Sequence, residues 1–302
     1  MMTLRSVEES SHPKPGSPGG HVLVTGATGF LGRHVVRALL ELGAEVTATA
    51  RDATKAREME WYSLVRFIPF DLADSAAGLF DHFGRPERCL HLAWGGLPNY
   101  RDIFHLKTNL PLHRAFLDHL LGEGLRHLLV AGTCLEYGLR GGCLTEDMDP
   151  APDNPYAQAK DQLRRHLEIV ARRTGASLRW VRLFYLFGPG QNPRSLLAQL
   201  DRAIDDGWES FDMSGGQQSR DYLPVQTAAA YLAHLVLQDD VTGILNCCSG
   251  RPITVENLVR EHMLRRGADL RLNLGVHPSP EWEPMHFWGA DTKLKKALAV
   301  HV

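Results

Sequence analysis

The chain has 302 residues, 44% of them hydrophobic and 23% charged, with a formal net charge of -2. That length supports one large α/β domain or two lobes around a buried core, and the near-neutral charge without a basic stripe argues against a nucleic-acid partner. No apolar run reaches the length of a membrane span, and five cysteines (Cys89, Cys134, Cys143, Cys247, Cys248), odd in number and irregular in spacing, fit reduced thiols in a cytoplasmic protein better than a disulfide framework.

Residues 1–20, with Pro13, Pro15, Gly16, Ser17, Pro18, Gly19 and Gly20, read as a disordered tail that lacks the apolar block of a secretory signal. His21 to Thr25 is a β-branched apolar run. Gly26-Ala27-Thr28-Gly29-Phe30-Leu31-Gly32 follows, and then Val35, Val36, Leu39, Leu40 and Leu42 recur at helical spacing before Gly43. Glycines between a strand and a helix suit a dinucleotide. Gly26 permits the tight turn, Gly29 lets the backbone approach a pyrophosphate, and Gly32 lets the helix pack on the strand. The N–H groups at the helix start then face the phosphate charge. The competing reading is an ordinary glycine-containing turn.

Glu45 to Ala50 is the second strand. It ends in Ala50 and Arg51 rather than in the acid that grips the ribose of NAD. A guanidinium there pairs with a 2′-phosphate, so Arg51, with Lys55 nearby, points to NADP(H). Asp52 keeps NAD(H) open, and Arg51 stacked on adenine or facing solvent is the plainer alternative. Val65 to Phe70 forms a further strand before Asp71-Leu72, and Cys89 to Ala93 another before Trp94-Gly95-Gly96. A helix is expected near Asn109–Leu121.

Leu128 to Ala131 is a strand run followed by Gly132-Thr133-Cys134-Leu135-Glu136-Tyr137-Gly138. Asn154-Pro155-Tyr156 opens a helix on which Tyr156 and Lys160, four apart, share a face. This pair suits proton transfer at a carbon–oxygen centre. A free phenol has a pKa of about 10. An ammonium about 4 Å away supplies roughly 4 kcal/mol at an effective dielectric of about 20, or about 3 pKa units, which brings the phenol near working pH. Thr133 would hold the substrate oxygen beside it. An i,i+4 surface pair is the alternative for Tyr156 and Lys160. Trp180 to Phe187 reads as one apolar strand before Gly188-Pro189-Gly190-Gln191, and helical spacing follows at Leu196, Leu197, Leu200 and Ile204. Cys247 and Cys248, adjacent in a strand-like run, should point to opposite faces. Fifteen histidines raise the question of a metal, but neither HExxH nor paired Cys/His spacing occurs, so no metal site is expected. Alternating strands and helices imply an α/β fold with a parallel sheet wound on both faces.

Gly26 to Gly32, His91-Leu92-Ala93-Trp94-Gly95-Gly96, Thr133 to Gly138, Tyr156/Lys160, Arg182 to Gly190 and Arg220-Asp221-Tyr222 together resemble the extended short-chain dehydrogenase/reductase (NAD-dependent epimerase/dehydratase) family, over nearly residues 21–298. The resemblance implies a Rossmann-type doubly wound sheet in residues 21–182, with a return near 221–245, and a smaller α/β substrate-binding lobe in 183–302. It implies a cofactor held by Gly26, Thr28, Gly29, Phe30, Leu31, Gly32, Arg51, Asp71, Leu72, Leu92, Ala93, Trp94, Tyr156 and Lys160. Catalysis would fall to Thr133, Tyr156 and Lys160. A nucleotide sugar would meet Trp94, Asn109, Thr133, Cys134, Tyr185, Gln191 and Arg220. Asn109 could equally be structural, and Arg220 could simply pair with Asp221. The chain departs from the family where Tyr185 stands for an asparagine and Phe187 for a tyrosine. The family's 4,6-dehydratases carry Asp-Glu where this chain has Cys134 and Leu135, which argues against elimination. The expectation is an NAD(P)H-dependent reductase of a nucleotide-linked 4-keto-6-deoxy sugar. A nucleotide-sugar 4-epimerase resembling UDP-glucose 4-epimerase is the alternative, and a non-catalytic NADP-binding sensor is the remoter one. The helices near 109–121 and 156–172 imply a homodimer by the same resemblance.

Overall fold

The computed structural model describes residues 20–278 and 284–299. Apart from Gly20, the tail expected over residues 1–20 lies outside them. The strands run β1 (His21–Thr25), β2 (Glu45–Ala50), β3 (Arg66–Pro69), β4 (Arg88–His91), β5 (His127–Thr133), β6 (Gly142–Leu144), β7 (Ser177–Leu183), β8 (Tyr185–Phe187), β9 (Ser210–Asp212), β10 (Ser219–Pro224), β11 (Gly243–Cys247), β12 (Pro252–Thr254), β13 (Arg271–Asn273) and β14 (Phe287–Gly289). The helices are α1 (Gly32–Glu41), α2 (Ala53–Arg57), α3 (Leu79–His82), α4 (Leu110–Glu123), α5 (Pro155–Thr174), α6 (Leu196–Asp205), α7 (Val225–Leu237), α8 (Val255–Arg266) and α9 (Thr292–Ala299).

Seven strands form one parallel sheet in the order β11-β7-β5-β4-β1-β2-β3. Its central strands are apolar almost without interruption, because helices cover both faces and leave no side for polar alternation. One core packs Val35, Val36 and Leu39 of α1 with Leu232 and Val236 of α7. The other packs Phe116, Leu117 and Leu120 of α4 with Leu163 and Leu167 of α5. After β1 the chain steps to β2 and β3 on one side, and then crosses to β4 on the other. A crevice opens at the carboxyl ends of β1 and β4, where strand order reverses, and ligands of such sheets bind there.

Trp180 to Phe187 is not one strand. β7 ends at Leu183, Phe184 is buried beside Phe287 and donates its N–H to Cys247 O at 3.1 Å, and β8 joins β10 and β12 in a separate small sheet. The buried Phe184 is the step between the large sheet and the small lobe, where α6 and α8 pack over Phe211, Met213 and Leu270. The closing helix α9 buries Leu294 and Ala297 in the core of the large sheet, so it belongs with that sheet and not with the small lobe. Cys247 and Cys248 do face opposite ways, into two different cores. Among the described residues no helix is long and apolar enough to cross a membrane.

Candidate active site

The glycine turn closes directly on the end of β4. Gly26 adopts φ 69°, and a Cβ there would lie 2.8 Å from Ala93 N. At Gly32 a Cβ would lie 2.1 Å from Gly26 O, so the loop can fold against the start of α1 only without side chains. No side chain caps the first turn of α1; Arg33 N and His34 N bond to Gly29 O and Leu31 O of the turn itself, and the positive end of the helix dipole faces the crevice. In front of that helix end lies a cavity of about 410 Å³, walled by Gly26, Gly29, Phe30, Leu31 and Gly32 on one side and by Thr133, Cys134, Tyr156, Lys160 and Tyr185 on the other, with Leu92 and Trp94 beneath. A backbone cradle that a Cβ at Gly26 or Gly32 would fill, at the N-terminal end of a helix, fits a dinucleotide.

α5 places the reactive pair. Asn154 caps it by accepting from Ala157 N at 3.0 Å, Pro155 sits in its first turn, and Gly175 ends it in the left-handed region. Tyr156 therefore sits in the first turn and Lys160 one turn on, 7% and 2% exposed. Thr133 ends β5 in the crevice wall that also holds Tyr156, and its hydroxyl accepts from Leu135 N at 3.3 Å. Lys160 Nζ donates to Ala131 O at 2.8 Å. The expected fall of the phenol pKa is not found in this arrangement. Burial pushes Tyr156 up, the neighbouring Tyr100, Glu136 and Cys134 push the same way, and the Thr133 hydroxyl opposes them. The ammonium lies 6.0 Å from the Tyr156 ring centre, and burial lowers Lys160 itself to about 7 while Glu136 resists. In a dry site the cost of charging the phenol outweighs the help of a distant, half-neutralised amine.

The other site expectations divide. Gly26, Gly29, Phe30, Leu31, Gly32, Leu92, Trp94, Cys134 and Tyr185 line the crevice. Thr28 is buried within the loop, and Ala93 is the backbone against which Gly26 closes. Arg51 is exposed after β2, and Asp52 is engaged in capping α2 through Thr54 N and Lys55 N. Asp71 caps the turn at Leu72–Asp74 through Ala73 N, with Leu72 packed beside the second core. Two expected substrate contacts fall elsewhere. Asn109 is buried behind the Trp94 loop, where its amide donates to Gly95 O at 2.9 Å and to His105 Nδ1 at 3.2 Å. Gln191 Oε1 accepts from Gly188 N at 3.3 Å and so braces its own turn. Arg220 is buried, lies over the Phe287 ring at 4.6 Å, and donates to Ser219 O and Met285 O. It lines a second cavity of about 330 Å³ with Ser214, Gln218, Tyr222 and Tyr185. Asp221 points the other way, taking the N–H groups of Ser249 and Gly250, so the Arg220–Asp221 pairing weighed from the sequence is not what holds either residue. Tyr185 lines both cavities and joins them.

Sequence reasoning passes over three features. Glu136, fully buried, accepts from Thr133 N at 2.8 Å, Trp180 Nε1 at 2.9 Å and Arg182 Nε at 2.9 Å, and thereby fixes the end of β5. Its signal is present, since Thr-x-x-Glu over 133–136 is the spacing of a capping box. Tyr100 has its ring centre 5.5 Å from that of Tyr156 and lines both the crevice and an adjoining cavity of about 360 Å³; no motif marks it. His91 and His113 form a buried pair behind Trp94. Among the described residues no cluster of three or more His, Cys, Asp or Glu is placed to hold a metal.

Comparison with known proteins agrees with this geometry. The model of the NAD dependent epimerase/dehydratase family matches residues 22–248. A dTDP-6-deoxy-L-talose 4-dehydrogenase (NAD(+)) of Aggregatibacter actinomycetemcomitans is 30% identical over 272 residues, covering 89% of this chain and 99% of its own. Among solved structures, the UDP-glucose 4-epimerase of Thermotoga maritima with UDP-glucose superposes with a TM-score of 0.80 at 25% identity, over 91% of both chains. MoeE5 in complex with UDP-glucuronic acid and NAD superposes with a TM-score of 0.76 at 26% identity, over 93% of both chains. With its seven-stranded parallel sheet, glycine turn and Tyr/Lys helix, the chain belongs to the NAD-dependent epimerase/dehydratase family and is an NAD-dependent enzyme of oxidoreductase type.

Proposed function

We propose that this protein interconverts a hydroxyl and a ketone at C4 of a nucleotide-linked 6-deoxy sugar, with Tyr156 moving the proton. The observation that carries the reading is the meeting of Tyr156 and Thr133 at the wall of the glycine crevice. Likeness along nearly the whole length of a relative named for 4-dehydrogenation of a 6-deoxy sugar supports it. A bound nicotinamide supplies or takes the hydride at C4. In reduction the C4 oxygen takes its proton from the Tyr156 hydroxyl while the Thr133 hydroxyl holds that oxygen in place; in oxidation the same proton returns to Tyr156. Burial lowers Lys160, one helical turn from Tyr156, to about 7, and a bound dinucleotide diphosphate would favour its charged form. Arg220 in the second cavity would grip the sugar's diphosphate, with Tyr185 between the two ends. Cys134 and Leu135, which line the crevice, offer no acid–base pair for elimination.

The cofactor is NAD(H) in this reading. The NADP(H) preference rests on Arg51 with Lys55 nearby, both of which stand exposed, and the relatives named with a nicotinamide cofactor carry NAD. A second reading, 4-epimerisation, draws on the likeness to the epimerase from Thermotoga maritima. A cytoplasmic homodimer formed through α4 and α5 completes the proposal, and solution mass tests its assembly. The deciding experiment follows nicotinamide absorbance when purified protein meets NADH, NADPH, NAD or NADP with dTDP- and UDP-linked 4-keto and 4-hydroxy sugars. Turnover of a 4-keto-6-deoxy sugar with net cofactor oxidation is expected. Cofactor retained through purification, with sugar isomerised and no net redox change, would assign the epimerase reading instead.

A further inference from the structure

Lys160 does not sit in open crevice. Its Nζ lies 3.9 Å from the centre of the Trp94 ring while donating to Ala131 O, and only 2% of the residue is exposed. The indole lines the crevice and is held from behind. Its Nε1 donates to His105 Nδ1 at 3.1 Å, which sets the His105 proton on Nε2, facing Asn99 O at 3.0 Å. Its opposite face stacks on His113, with ring centres 4.4 Å apart and planes at 20°. His113 in turn is tied to the end of β1. Thr25 Oγ1 accepts from the amides of Leu92 and Ala93, so its proton goes to His91 Nδ1, and His91 Nε2 donates to His113 Nδ1 at 2.7 Å.

We propose that Trp94 is a positioning residue for Lys160, its indole face favouring the ammonium form over the neutral amine and fixing Nζ between the ring and Ala131 O. A cation over an indole face is attracted by the ring quadrupole, most strongly when both are dry. The neutral imidazole behind the ring leaves that attraction unopposed. Burial and the Lys160 charge hold His91 at about 3, and they hold His113, beside His91, well below its ordinary value. The groups facing Lys160 are Tyr156 on its own helix, Glu136 after β5, His91 on β4, His113 on α4 and His105 before α4. Of these Glu136 alone carries a negative charge, and it is already shared with Arg182. The catalytic meaning of this contact rests on the proposed function, but the contact itself is tested without substrate or cofactor.

The test is NMR of the full chain labelled with 13C-lysine, with the Lys160 ε-CH₂ resonance identified by its loss in Lys160→Met. In the wild type those protons should be displaced upfield by the indole ring current and titrate near pH 7. Trp94→Leu should abolish the displacement and lower the midpoint by about one pH unit; Trp94→Phe should do the same to a smaller degree. An undisplaced wild-type resonance, or a midpoint in Trp94→Leu equal to or above the wild type's, overturns the proposal. If Trp94→Leu does not fold, an unchanged or raised midpoint in Trp94→Phe does so. Turnover failing on every sugar while Lys160 titrates as described would refute the proposed function and leave this inference standing.

Discussion

The glycine crevice and the small lobe meet at Tyr185, yet they are built on different principles. The crevice is assembled from consecutive pieces of one regular sheet: the turn after β1, the ends of β4 and β5, and the first turns of α5. Steric exclusion at Gly26 and Gly32 fixes its shape almost irrespective of what it binds. The second cavity is gathered from the paired strands β8 and β10 of the small sheet, from β9 of a separate two-stranded sheet, from α6 and α8, and from the segment after β13. On the proposed function, the crevice would set the type of reaction and the second cavity the choice of substrate.

Four substitutions would sharpen or break that division. Tyr156→Phe should cost turnover about 10²–10⁴-fold while dinucleotide binding persists, measured by steady-state kinetics and by calorimetry on the same sample. Retained turnover would move the chemistry out of the crevice. Arg220→Met should raise the KM for a nucleotide sugar roughly tenfold or more, through loss of charge-assisted bonds, with cofactor affinity unchanged. Loss of cofactor binding instead would mean that the two cavities are not independent. Gly32→Ala should destabilise the fold by about 1–3 kcal/mol through overpacking, seen in chemical denaturation, and should weaken the dinucleotide more than the sugar.

The smallest effect is the pH dependence of Lys160. Its folded pKa of about 7 lies below the ordinary lysine value of 10.5, so between those limits the unfolded chain binds a proton that the folded chain has released. Stability attributable to this residue thus rises with pH from about 7 towards 10.5 and is lost as pH falls through 7. Relative to Lys160→Met, the wild type should gain denaturation midpoint across that window. A flat difference would mean that the amine is solvated.

What the sequence revealed follows the same line. The glycine turn is legible because a Cβ is forbidden there, and the Tyr/Lys pair because four residues span one helical turn. Asn109 and Gln191 read as ligands since each is a polar side chain in a family-like position, but each satisfies a backbone group of its own loop. No local pattern announces that, because the partner is set by how the loop folds. The break after Leu183 is equally silent: an apolar run looks the same whether it continues in one sheet or steps across to another, and the step is held by Cys247 O from a distant strand. The Trp94–Lys160 contact joins β4's loop to α5 and has no signature in spacing either. The Thr133–Glu136 capping box is the exception, a local signal that was there to be read.

Hydride transfer at C4 of a nucleotide-linked sugar, with Tyr156 moving the proton, is tested most directly with NADH carrying two deuterons at C4 of the nicotinamide and a dTDP-linked 4-keto-6-deoxy sugar. The product should carry deuterium at C4 in the wild type and form about 10²–10⁴-fold more slowly with Tyr156→Phe. Deuterium at any other carbon, or an unlabelled product, would contradict it.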